Sequence, residues 1–331
     1  MAAVVYNEDI RRLSAASLRI LAVSAAYYAA SEASLLQRVL PAGVVICPFW
    51  PPTGVSLACL LLLGPGIWPG IALGHLAASV RVGLQVADIG IVCGNTLAPV
   101  CAYLLLRRAG FRTEMDRLRD GLTLVFLGAM AAMLISATVG AGSLALTGAL
   151  PKADFWPAWS AWWTGDALGV LVVTPLLLLA SRARWPRSVP FFRWTEATLL
   201  LTTTTVVTLL ATRTTLHLLF LIFPALIWAA LRFQLAGAAP CALIVSVIAV
   251  TAATHHTGPF AGRGLLATMV TLQALNGSVA LTALLLAAVT TERNNAYLRI
   301  KQACKTLTEV VARLSPNETT GNRPPPEEEC P

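Results

Sequence analysis

The sequence predicts an all-α integral membrane protein, a polytopic helical bundle of eight to ten spans with one proline-broken span and a C-terminal cytoplasmic helix. Three observations carry this. Only 12% of the 331 residues are charged, where soluble domains carry roughly 25%. Mean hydropathy is +0.71. Apolar runs near the length that crosses a bilayer recur from Leu13 to Thr291. A chain so poor in charge cannot cover itself in water, and a soluble enzyme is excluded on that ground.

Ten segments are expected to lie in the bilayer: 13–31, 43–64, 66–83, 87–106, 120–148, 157–181, 196–212, 215–231, 237–256 and 265–291. The second is interrupted by Pro51-Pro52. The seventh and eighth are short and closely joined, which leaves eight full spans as the alternative. No internal repeat stands out. The first run lacks a small-residue cleavage site and is read as a span, not a signal peptide.

Arginine distribution orients the bundle. With the N-terminus inside, the cytoplasmic loops take Arg107, Arg108, Arg112, Arg117 and Arg119, then Arg182, Arg184, Arg187 and Arg193. The external loops take only Arg38, Arg81, Lys152, Arg213 and Arg263. Both termini are therefore expected in the cytoplasm. The net charge of +8 serves orientation, and nucleic acid is not an expected partner. Seven cysteines form no CxxC pair and no Cys/His cluster, so neither a metal nor a cofactor is expected.

Three domains follow from composition: a membrane domain over 1–291, a cytoplasmic heptad helix over 292–314, and a polar, proline-rich tail over 315–331 expected to be disordered. In the heptad segment Tyr297, Ile300, Cys304, Leu307, Val311 and Leu314 recur at steps of 3, 4, 3, 4 and 3, a coiled-coil seam. A homodimer through 292–314 is the expected use. Besides a second copy and the lipid bilayer, a separate signalling protein is the expected partner.

Polar groups inside the apolar runs are the candidates for function, since each is costly in a membrane. Asp166 sits mid-span, with Trp159 and Trp162 seven and four residues before it on the same helical face. The pattern serves either a ligand-holding carboxylate beneath an aromatic platform or a structural carboxylate paired with another helix. Trp50, Pro51, Pro52 and Gly54 mark the break in the second span, and breaks at membrane depth line cavities or pack on protein. Asn95 and Gln273 are neutral polar groups well inside their spans. In the orientation above these residues fall in the middle or outer half of the membrane, so a pocket reachable from outside is expected. His75 is read as packed and hydrogen-bonded, and His255-His256 as an external turn. No GxGxxG, Walker, HExxH or GxSxG pattern occurs, and no catalytic residue is expected.

The strings FWPPTGVSLACLLLLGPGIWPGIALG, CGNTLAPVCAYLLLRRAGF, FWPAWSAWWTGDALGVLVVTPLLL, ALRFQLAGA, HHTGPF and LQALNGSVALTALLLAAVTTER resemble, in order, the membrane-associated sensor domain of type one, over about residues 15 to 297. The resemblance implies a sensory input domain of the bacterial plasma membrane that precedes kinase or cyclic-di-GMP modules. It points to Trp50, Pro51, Pro52, Gly54, Asn95, Trp162, Trp163, Gly165 and Asp166. Gln234 stands where that family commonly has glycine. No kinase, GGDEF or EAL signature follows Leu314, so a stand-alone sensor acting through a partner is expected. A small-molecule or ion transporter using Asp166 is the alternative, disfavoured by the single break and the missing repeat.

Overall fold

The structure, a computed structural model, describes residues 2–35, 47–182, 191–214, 218–262 and 264–314. It is all-α, with no strand among the described residues. Ten principal helices account for the ten expected segments: α1 (Ala2–Leu35), α2 (Pro51–Leu63), α3 (Trp68–Val82), α4 (Ala87–Arg108), α5 (Leu118–Leu146), α6 (Phe155–Arg182), α7 (Phe191–Arg213), α8 (Ile222–Phe233), α9 (Leu235–Thr254) and α10 (Leu265–Leu314). Among the described residues six stretches, containing α4, α5, α6, α7, α9 and α10, are long and apolar enough to cross a membrane. The apolar helices α2 and α8 are shorter. The expected tail over 315–331 and part of the loop after α6 lie outside the described residues.

The expected break at Pro51-Pro52 takes the form of a helix start, the two prolines occupying the first two positions. Proline lacks only an N–H that a first turn leaves unused, and its fixed φ already suits a helix. Residues 47–50 approach as non-helical chain. Whatever precedes Cys47 in the expected 43–64 span lies outside the described residues.

Polar sequence inside the spans is accommodated locally. The helix α7 carries Thr198, Thr202, Thr204, Thr205, Thr208 and Thr212, and each hydroxyl donates to the carbonyl four residues back at 2.6–2.9 Å. These six donors are then not left bare in hydrocarbon.

Helices α1 to α6 pack mainly among themselves, as do α7 to α10, and α6 joins the sets by contacting α9 and α10. The first set is assembled on small-xxx-small pairs, which bring helix backbones together where lipid offers no hydrophobic drive. Gly70 and Gly74 of α3 face the backbone of α1 at Ile20 and Ser24. Gly90 and Gly94 of α4 face Ser143 and Val139 of α5. Gly165 and Gly169 of α6 face the chain that enters α2.

The helix α5 changes hydrogen-bond register within itself. Over Leu124–Ala131 it is a π-helix, a form rare in proteins and frequent beside functional sites. The helix α10 runs unbroken for 50 residues, about 75 Å at 1.5 Å per residue. Its last part leaves the bundle, with Tyr297, Ile300, Leu307 and Val311 all exposed.

Candidate functional site

Gly165 and Gly169 make the site possible. A Cβ at Gly165 would meet the Cys47 carbonyl, and one at Gly169 the Trp50 carbonyl. On the facing side, a Cβ at Gly54 would meet the Gly169 carbonyl. With these side chains absent, residues 47–54 lie directly on α6. The Trp50 N–H donates to the Gly165 carbonyl at 3.1 Å, and Thr174 Oγ1 donates to the Gly54 carbonyl at 3.1 Å.

This docking brings Thr53 onto Asp166. Thr53 Oγ1 donates to Asp166 Oδ1 at 2.6 Å. Ser136 of α5 donates to Asp166 Oδ2 at 2.5 Å from the other side. Asp166 is 1% exposed and pairs with no basic side chain among the described residues. It ties α2, α5 and α6 together through two hydroxyls, the structural half of the sequence expectation.

Above Asp166 is a cavity of about 320 Å³, inside the range of small-molecule sites, roughly 300–1,000 Å³. Asp166, Trp50, His75, Asn95 and Trp162 line it, and it extends to Gly83, Gln85 and Ala149 in the loops at one end of the bundle. The Tyr27 hydroxyl and His75 Nδ1 are 2.7 Å apart, and Asn95 Nδ2 lies 3.3 Å from the same nitrogen. His75 is thus packed and hydrogen-bonded, as its sequence position implied, and it also faces the cavity. Two buried polar atoms of the lining, Trp50 Nε1 and Asn95 Oδ1, make no hydrogen bond.

A model of the MASE1 family matches residues 17–294. The chain belongs to the MASE1 family. MASE1 is a membrane-associated sensory family, and the chain is a multi-pass membrane protein with a membrane sensor role. No curated protein and no solved structure matches the chain. The MASE1 match covers every residue of the site, and α10 continues beyond the end of the match to Leu314.

The WPPTG, GNT and WWTGD motifs of this MASE1 chain converge on that one cavity through Trp50, Asn95, Trp162 and Asp166. Pro51, Pro52 and Gly54 do not line it; they set the entry and docking of α2. Trp159 and Trp163 do not line it either. They stack on each other with centroids 6.0 Å apart. Trp159 Nε1 donates to Thr138 Oγ1 at 3.1 Å, and Trp163 Nε1 to the Met130 carbonyl, inside the π stretch, at 2.9 Å. Trp159 and Trp162 share the face that packs against α5, as expected, but only Trp162 lines the cavity. Trp162 alone lies over Gly140 of α5, where a Cβ would run into its ring.

Gln273 is a correction to the expected site. It lies on α10, which packs against α5, α6, α8 and α9, and it is not among the residues lining the Asp166 cavity. Three residues on, Asn276 is fully buried, and neither of its side-chain polar atoms is paired. Sequence reasoning passed over Asn276. The signal was available, since the buried positions Thr268, Leu272, Val279 and Ala283 place Asn276 on the inner face.

Proposed function

We propose that this MASE1 protein is a bacterial plasma-membrane sensor that takes a small molecule into the cavity beside Asp166 and reports its presence through α10 to a separate signalling partner. The observation that carries this reading is the cavity itself. It is of ligand size, it joins the three family motifs, and two buried polar atoms of its lining await partners. The arginine-rich loops orient the mouth outward and both termini into the cytoplasm.

The route to α10 has support as well. The helix α5 carries Ser136, bonded to Asp166. At its other end the Leu118 N–H donates to Glu292 of α10 at 2.9 Å. The π stretch lies between these two points. A change in packing at Asp166 therefore has a mechanical path to the base of the exiting helix. Two copies leaving the same membrane face would bring their Tyr297–Leu314 seams together, with tethering supplying the effective concentration a short coil needs.

The test is a thermal-stability screen of the purified full chain in nanodiscs against small-molecule libraries. A ligand that binds only the folded state raises stability according to its concentration over its Kd. Ala78→Trp, which fills the cavity from α3, is expected to abolish any stabilisation found. Hits that stabilise Ala78→Trp equally would refute the assignment of the cavity.

A further inference from the structure

The chemistry of the lining narrows the ligand, on the reading that the cavity is the sensory site. Two carboxylates face it, Asp166 and Asp88, and none of the described lysines or arginines does. Asp88 is already engaged, accepting the Gln85 N–H at 2.6 Å. Arg81, the nearby cation, is paired with Glu32 at 3.4 Å. Asp166 is different. Its two hydrogen bonds come from neutral hydroxyls, one on each oxygen, and a carboxylate has about four acceptor positions. A carboxylate this deeply enclosed is normally paired with a cation, and here none of the described side chains supplies one.

The two unpaired atoms add direction. Asn95 is 5% exposed, and its Oδ1 is an acceptor without a donor. Trp50 Nε1 is a donor without an acceptor. The Tyr27 hydroxyl and Asn95 Nδ2 both approach His75 Nδ1, at 2.7 and 3.3 Å, so His75 and Asn95 sit together in the lining. Trp162, Ile91 and Leu144 give the wall an apolar stretch, and His75, Ser79 and Gln85 add further polar groups to it.

We infer that the ligand is an organic amine carrying a neighbouring oxygen acceptor, an amino alcohol in the simplest case. Its ammonium donates to Asp166 and to Asn95 Oδ1, its oxygen accepts from Trp50 Nε1, and its apolar body lies along Trp162. An ammonium has three donors, matching two acceptors that have room for more. A carboxylate ligand is disfavoured by the same wall, because it would bring a second negative charge to Asp166 with no described lysine or arginine in the lining to neutralise either. The same headgroup chemistry can come from a soluble amino alcohol or from an ethanolamine lipid.

The experiment uses the full chain in phosphatidylglycerol nanodiscs, with melting followed by tryptophan fluorescence. The probes are 2-amino-1-hexanol, hexylamine, 1-hexanol and hexanoate. The amino alcohol is expected to raise Tm saturably, hexylamine more weakly, and the other two not at all. Doping the discs with phosphatidylethanolamine distinguishes the sources. A rise in Tm and competition with the soluble probe assign a lipid headgroup, and no effect assigns a soluble ligand. Asp166→Asn is expected to weaken amino-alcohol binding about tenfold or more, as for the loss of one partner of a buried charged pair. If that variant does not melt cooperatively, Asn95→Leu decides, with an expected loss of about threefold or more for one hydrogen bond. Equal binding of the amine and alcohol probes overturns the inference, as does unchanged affinity in the deciding variant. If 1-hexanol or hexanoate instead binds and Ala78→Trp abolishes it, the amine class falls while the sensory cavity stands. If no probe's effect responds to Ala78→Trp, both fall.

Discussion

Replacing Thr53 with valine preserves the shape of the side chain and deletes one of the two hydroxyls that hold Asp166. The Thr53–Asp166 bond is 2.6 Å long and buried, and Thr53 is itself 4% exposed, so water cannot take its place. Interhelical hydrogen bonds in membrane proteins average about 0.6 kcal/mol and reach about 1.7. Bonds to charged acceptors run to about 1.5–3 kcal/mol. Among the described residues Asp166 has only one other side-chain donor, Ser136, so the upper range applies, and Thr53→Val is expected to cost about 2 kcal/mol. Thr53→Ser keeps the hydroxyl and loses a methyl, at about 1 kcal/mol or less. The assay is unfolding by SDS titration in mixed micelles, followed by tryptophan fluorescence. A double-mutant cycle with Asp166→Asn should return a coupling of about 1 kcal/mol or more. If valine costs no more than serine and the coupling is within about 0.3 kcal/mol of zero, the carboxylate does not clamp α2 to α6.

Gly169→Leu should destabilise by at least about 1–3 kcal/mol, because its Cβ meets the Trp50 carbonyl. Gly142→Leu, which meets nothing, should be tolerated in the same unfolding assay. Gln234 has φ +54° and ψ −138°, a region that glycine enters freely and other residues do not, so Gln234→Gly should raise stability by about 1 kcal/mol. Mild oxidation in membranes, with Cys330 replaced, should crosslink the exposed Cys304 to its copy in a second chain. A crosslink at Gln302→Cys but never at Cys304 would show the seam misassigned. In the loop between α4 and α5, the Arg182 guanidinium 2.7 Å away holds the Glu114 carboxyl below its usual pKa. That contact therefore contributes stability above the unfolded carboxyl pKa of about 4.3 and loses it as pH falls through the folded value. Arg182→Gln should flatten this acid limb of the stability profile.

The helical segments were legible because hydropathy alone marks them. Residues 87–106, 157–181 and 237–256 fall within two residues of the ends of α4, α6 and α9. Trp50, Asn95 and Asp166 were legible for the same reason, a polar or interrupting group inside an apolar run. The convergence of the three motifs was legible only in part. Gln273 satisfied the same criterion as Asn95 yet belongs to the other set of helices, and no spacing rule says which helices will be neighbours. Trp159 and Trp162 differ by less than one turn, and the choice between them rests on Gly140 of α5, where the chain leaves room for one ring. The Pro51-Pro52 pair read as a break, and the structure shows its form, a helix that starts at Pro51 after non-helical chain. Gln234 read as a minor departure from a family glycine, and its positive φ gives that departure a physical cost.

On the proposed function, occupancy of the Asp166 cavity is felt by the exiting helix. Spin labels on Cys304 and on a cysteine placed at Arg112, with the other cysteines replaced, report the position of α10 against the loop between α4 and α5. The measurement is the distance distribution by double electron–electron resonance, with and without a compound that the stability screen shows to bind. A shifted distribution is expected in the otherwise native protein and none in Ala78→Trp. A compound that binds the cavity and leaves the distribution unchanged would contradict it.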